Sequence, residues 1–153
     1  MQENKLNITA HFTIAEIENS TRAKELGIDN TMPSIYFGNA QNVARFILEP
    51  VRLHFGKPFS PSSWYRCKKL NDAVDGSVNS DHMIGAAVDF VVPGVSPLAL
   101  AEYIRDNLIY DQLIYEVRPN RKWVHASYKR DNNRMQVSTN INGDSLKGLI
   151  CSE

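Results

Sequence analysis

Apolar residues recur along this chain in short blocks of two kinds, one spaced three or four residues apart and one alternating with polar neighbours. The first block is Phe12-Thr13-Ile14-Ala15-Glu16-Ile17. Thr13 and Glu16 have capping-box spacing and Phe12 with Ile17 has hydrophobic-staple spacing, so a short helix is expected over residues 13–20. Residues 27–38 collect Gly, Asp, Asn, Pro and Ser and read as a loop. Val43, Phe46, Ile47, Val51 and Phe55 then predict a longer helix over residues 39–55, stopped by Gly56 and Pro58. Pro50 falls inside it and is expected to kink it or to remove one of its hydrogen bonds. A third helix is expected over residues 67–74, with Cys67, Leu70, Ala73 and Val74 inward. A fourth opens at Ser96-Pro97, an N-cap followed by proline, and runs to about Asn107 with Leu100, Ala101, Ile104 and Leu108 buried.

Strands are expected over residues 59–65, 87–92, 112–117 and 122–128. The last two are joined by Arg118-Pro119-Asn120-Arg121, too short for a crossover, so they form an antiparallel hairpin. Helices mixed with such a hairpin point to an α+β fold, a central antiparallel sheet with flanking helices. The chain has no internal repeat and no low-complexity linker, and its 153 residues suit a single domain. The core of that domain is expected over about residues 12–128. From 131 to 153 the chain turns polar and reads as a loose tail, with residues 135–137 a candidate edge strand.

Composition narrows the function. Seventeen basic and seventeen acidic side chains leave no net charge, which argues against a nucleic-acid partner and against an anionic membrane surface. No stretch approaches the roughly 20 apolar residues of a membrane span. The opening Met1-Gln2-Glu3-Asn4-Lys5 is polar and no signal peptide follows, so synthesis in the cytoplasm is expected. Cys67 and Cys151 make no disulfide framework and no paired metal motif, and read as reduced thiols. A monomer is expected.

The chemistry concentrates in Ser80-Asp81-His82-Met83-Ile84-Gly85-Ala86-Ala87-Val88-Asp89 and Trp123-Val124-His125-Ala126-Ser127. Together they offer two imidazoles and a carboxylate, and three protein ligands plus water is the usual composition of a catalytic zinc site. His82 and Asp89 are separated by an odd number of residues, so one continuous strand would place them on opposite faces. A turn through Met83 to Ala86, with Gly85 free to take a backbone conformation other residues avoid, brings them together. In the hairpin, Ile114 faces His125 and Glu116 faces Trp123, which sets Glu116 diagonal to His125 on one sheet face, about 7–8 Å away. So placed, Glu116 is either the general base of a zinc hydrolase or a strand residue paired with Arg118 or Arg121. A one-residue slip would turn it to the other face, and Asp81 and Asp111 are the competing carboxylates. Arg66, where a strand gives way to a helix, suits two-point binding of a carboxylate or a local surface pairing. His11 and His54 stand without partner motifs.

At these residues the chain resembles the zinc peptidases of the D-alanyl-D-alanine carboxypeptidase family, which includes phage endolysins and is related in fold to the hedgehog signalling domain. The landmarks are Tyr65-Arg66 with Leu70-Asn71 behind them, Asn79-Ser80 leading to His82, Gly85, Ala87 and Asp89, and finally Trp123-Val124-His125. The resemblance covers roughly residues 12–128. It implies one zinc ion held by His82, Asp89 and His125, a catalytic role for Glu116 and Arg66, and substrate contacts from Arg66, Ser80 and Tyr65. In some branches the catalytic glutamate lies three residues before the last histidine, where this chain has Lys122. In the branch it resembles more, the glutamate sits on the preceding strand, in a phrase like Gln112-Leu113-Ile114-Tyr115-Glu116. Trp64 stands where the family often has glycine, implying a narrower cleft. The implied substrate is a peptidoglycan peptide cut next to a D-amino acid, with action on the wall after release, as in phage lysis, or in the cytoplasm. An L-alanyl-D-glutamate endopeptidase and a non-catalytic zinc-containing wall-binding or phage structural module are the alternatives.

Overall fold

Polar caps written into the chain start most of its helices. In the computed structural model, which describes residues 6–151, Thr13 caps α1 (Ile14–Glu18) and the capping box is reciprocal. The Thr13 hydroxyl accepts from the Glu16 N–H, and the Glu16 carboxylate accepts the Thr13 N–H at 2.7 Å. Phe12 and Ile17 are fully buried, as a staple requires. A helix absent from the sequence reading follows, α2 (Thr21–Leu26), capped by Ser20 and closed by Gly27 at φ 63°.

The 27–38 segment is less of a loop than expected: it holds a 3-10 turn at Ser34–Tyr36, and the long helix starts early with α3 (Phe37–Val43). A π turn, Ala44–Leu48, carries α3 straight into α4 (Glu49–Phe55). The Glu49 N–H reaches back to the Ala44 carbonyl, and the wider turn lets Pro50, which has no N–H to lose, enter without breaking the helix. Val43, Ile47 and Val51 are fully buried as expected, and Leu48 joins them. Phe46 instead lies at the surface, stacked on Tyr128 at 4.7 Å. In α5 (Lys68–Ala73), Leu70 is buried, but Ala73 and Val74 face solvent and Asn71 takes the inward position. Helix α6 (Pro97–Asn107) buries Leu100, Ala101 and Ile104 behind its Ser96 cap.

Five strands form one sheet in the order β1-β3-β2-β4-β5: β1 (Ala87–Phe90), β2 (Gln112–Arg118), β3 (Arg121–Ser127), β4 (Gln136–Ile141) and β5 (Asp144–Lys147). The β2–β3 register pairs Ile114 with His125 and Glu116 with Trp123, as the turn predicts. The sheet is mixed and not antiparallel as expected, because β4 returns beside β2 in the same direction. The polar end of the chain is therefore part of the fold. Val137, Thr139 and Ile141 alternate with outward polar residues, and the buried Thr139 hydroxyl donates to the Gly148 carbonyl and accepts the Ile150 N–H.

Residues 59–65 are not a strand. Pro58 and Pro61 remove two donors, and the extended chain makes a single bridge, Ser63 to Asp89, at the edge of β1. One face of the sheet, carrying Val88, Phe90, Leu113, Tyr115, Val124 and Ala126, packs with α6, the π turn and Trp64 in the apolar core. Each large side chain buried there contributes about 1.5–3 kcal/mol. The opposite face carries Asp89, Ile114, Glu116, Trp123 and His125. The fold is α+β, with helices flanking the sheet. No described helix is long and apolar enough to cross a membrane.

Candidate metal centre

His82 sits in a 3-10 turn, Asp81–Ile84, capped by the Ser80 hydroxyl, which accepts the His82 N–H at 3.2 Å. Gly85 closes the turn at φ 71°, and a Cβ there would come within 3.1 Å of Met32 Sδ. This reversal lets His82 share a site with Asp89 on β1. Its ring is 2% exposed, and Nδ1 lies 2.6 Å from the Trp64 carbonyl oxygen. A carbonyl only accepts, so Nδ1 carries the proton and Nε2 presents a lone pair. That lone pair faces Asp89 Oδ2 at 3.3 Å and, among the described residues, has no hydrogen-bond partner.

Strand pairing supplies the rest. Asp89 is the β1 partner of His125 on β3, and His125 Nδ1 lies 2.9 Å from Asp89 Oδ1. Donor atoms of His82, Asp89 and His125 fall within 4.8 Å of one another. Burial drives the His82 pKa down despite the pull of Asp89. Burial pushes the Asp89 carboxyl up, but the electrostatic pull of the His82 ring and the His125 hydrogen bond outweigh it and hold it well below the usual carboxylate range. A neutral imidazole facing an ionised carboxylate is the protonation state a divalent cation needs. Two lone-pair atoms in such contact are repulsive unless a cation lies between them, and two nitrogens with one carboxylate suit zinc with an open fourth position.

Arg66 donates from Nη2 to Asp89 Oδ2 at 3.0 Å, from Nε to the Ser63 hydroxyl at 3.0 Å and from Nη1 to Asn71 Oδ1 at 3.3 Å. It grips the cluster's own carboxylate. Neither Ser63 nor the Trp64 carbonyl was singled out by the sequence reading, since nothing in a residue's type shows which backbone oxygen a ring will meet. Asn71 stood among the landmarks without a role, and its burial is what makes it a partner for Arg66.

Glu116 projects from the sheet face that carries His125, its side chain 14% exposed. Burial raises its pKa, against the opposing pull of Arg118 and then His125. Arg118 Nη2 stands 3.3 Å from Glu116 Oε2 without hydrogen-bond alignment. The competing carboxylates are engaged elsewhere: Asp111 with Arg134 at 2.7 Å and Lys129 at 3.4 Å, Asp81 with Lys129 at 3.9 Å. Tyr65 is buried and lines a second cavity of about 530 Å³ with Tyr36, Met83 and Ile84. Trp64 does not narrow the cleft; it lies wholly in the core, its Nε1 donating to the Gly85 carbonyl at 3.2 Å. His11 pairs with Glu49, and His54 stacks on Tyr103. Cys67 caps α5 through its sulfur, and Cys151 is exposed.

Beside Asp89 opens a cleft of about 440 Å³, bordered by Ser62, Ser63, Arg66, Arg121 and Trp123 and reaching out to Ser20 and Arg22. A family model described as Peptidase M15 matches residues 10–127. The chain belongs to the peptidase M15 family. M15 peptidases are zinc-dependent, and the histidine–aspartate–histidine group of this member can hold a metal ion. The matched span runs from α1 through β3 and contains every residue of that group, whereas the β4–β5 hairpin lies beyond it. No curated protein matches the chain.

Proposed function

We propose that this M15 peptidase holds one zinc ion through His82, Asp89 and His125. We further propose that it hydrolyses peptide bonds next to D-amino acids in peptidoglycan stem peptides or cross-bridges, as a D-alanyl-D-alanine carboxypeptidase. The observation that carries this reading is the unpartnered, buried Nε2 of His82, aimed at an ionised Asp89 beside His125. Zinc bound there supplies Lewis-acid polarisation of a carbonyl and lowers the pKa of water. Glu116 takes the water's proton and returns it to the departing amine, a task suited to a carboxylate whose pKa burial has raised. Arg66 keeps Asp89 oriented while forming part of the cleft wall. Ser80 acts through the His82 turn it caps.

An L-alanyl-D-glutamate endopeptidase is the second reading, favoured by one feature. The cleft continues from Asp89 to the exposed residues Thr21 and Arg22, leaving room for peptide on the far side of the cut bond. Comparison of zinc-matched wild type and Glu116→Gln on peptidoglycan stem peptides tests the common mechanism. A fall in kcat of about 10²–10⁴ with zinc content unchanged is expected for loss of a general base. Equal activity of the two proteins would remove Glu116 from the chemistry, and inactivity of both would favour a zinc-containing module that binds without cutting.

A further inference from the structure

Two guanidinium groups stand on the bank of the cleft beside Asp89, and they are differently employed. Arg66 has three donors committed to Asp89, Ser63 and Asn71, out of the five a guanidinium carries. Arg121, at the start of β3, donates once, from Nη2 to the Ser62 hydroxyl at 3.1 Å, and pairs with no carboxylate among the described residues. Its guanidinium lies over the Trp123 ring, 4.5 Å from the centroid, so the head group is fixed in place without using its N–H donors. The adjacent serines Ser62 and Ser63 hold one arginine each, and the Ser62 N–H is bonded to the Asp89 carbonyl at 2.9 Å. That strip ties both head groups to the metal-binding strand. The third arginine on the cleft, Arg22, is neutralised by Glu25 at 3.2 Å. Among the described residues, the only carboxylate on the cleft lining is Asp89, which Arg66 and the two histidines already engage.

We propose that Arg121 is the residue that binds a free carboxylate of the peptide substrate, and that this chain selects peptides carrying one within reach of the metal centre. The proposal rests on the peptidase reading above. A planar guanidinium with open donors, backed by an indole and a serine, suits two-point capture of a carboxylate. Arg66 is instead a positioning residue for Asp89. The carboxylate has two possible sources, the peptide's C-terminus or an internal acidic residue, and both present the same group to Arg121.

The test uses the full-length zinc-loaded protein, as wild type, Arg121→Gln and Arg121→Lys, with three versions of one synthetic stem peptide. One version has both carboxylates free, one is amidated at the C-terminus and one is amidated at the internal acidic residue. Cleavage kinetics and peptide binding are measured separately, with zinc content as the check on folding. Wild type is expected to lose about ten- to a hundredfold in binding and in kcat/KM, mainly through KM, on one of the two amidations. Arg121→Gln abolishes that discrimination at unchanged zinc content, and Arg121→Lys restores part of it. The sensitive amide identifies the source of the carboxylate. Discrimination that persists in Arg121→Gln overturns the proposal, as does wild type that binds all three peptides equally or binds none. Carboxylate-selective, Arg121-dependent binding without cleavage would uphold it and overturn the peptidase reading alone.

Discussion

His82 commits one ring nitrogen to the Trp64 carbonyl and leaves the other bare against Asp89, so removal of any member of the cluster should be felt first as lost metal. His82→Ala and Asp89→Asn are predicted to abolish stoichiometric zinc binding, measured by competition with a chromophoric chelator. Arg66→Gln, which removes the grip on Asp89 but no ligand, is predicted to keep the site and weaken it about ten- to a hundredfold. An unchanged affinity in Arg66→Gln would refute its positioning role. At this scale the sequence was informative about which side chains come together, because an odd spacing across a glycine-closed turn admits few ways for His82 and Asp89 to meet. It was silent about what orients them, since the Trp64 partner is a backbone oxygen and Ser63 and Asn71 have ordinary residue types. Arg66, expected in catalysis and substrate contact, lines the cleft and also spends three of its donors on Asp89, Ser63 and Asn71, which residue type alone does not show.

Elements carry these residues to the site, and two short connections have the greatest influence. Gly85→Ala would force a side chain into a left-handed conformation against Met32, costing about 1–2 kcal/mol. The expected result is a lower melting temperature together with weaker zinc binding, because the His82 turn moves with it. The second connection joins β3 to β4. Buried Asp111 accepts from the Arg134 backbone and from its guanidinium, and these bonds bring its pKa down from 3.8 to about 2. A depressed folded-state pKa stabilises above the unfolded value and loses that contribution as pH falls through the folded one. Asp111→Asn should therefore destabilise by about 2 kcal/mol at neutral pH, and the difference from wild type should shrink between pH 4 and pH 2. A constant difference across that window in denaturant melts would contradict this account. The β2–β3 register was legible because the short Pro119-Asn120 connection fixes which residues share a face. Helix α2 had a signal that went unread, Ser20 before it and Gly27 after it. Residues 59–65 are expected as a strand, yet Pro61 within them and Pro58 just before leave them only a bridge.

For the molecule as a whole, the largest departure from the sequence reading is the C-terminal segment, taken for a loose tail and found as the β4–β5 hairpin. Local pattern could not show that β4 would lie parallel to β2, since that pairing depends on a return path anchored by the distant Asp111. The hairpin covers the β2 edge and reaches the site face, where Asn140 accepts from Arg118, the neighbour of Glu116. A chain truncated after Arg130 would expose that edge and is predicted to unfold at a lower temperature and to aggregate; full retention of stability would mean the hairpin is an independent appendage. The most direct test of the whole account is mass spectrometry of purified peptidoglycan after incubation with protein loaded with one zinc per chain, beside the zinc-stripped protein. The predicted result is zinc-dependent loss of a single terminal D-alanine, or separated stem peptides if the endopeptidase reading holds. Unchanged muropeptides across several wall types, from protein shown to retain its zinc, would contradict it.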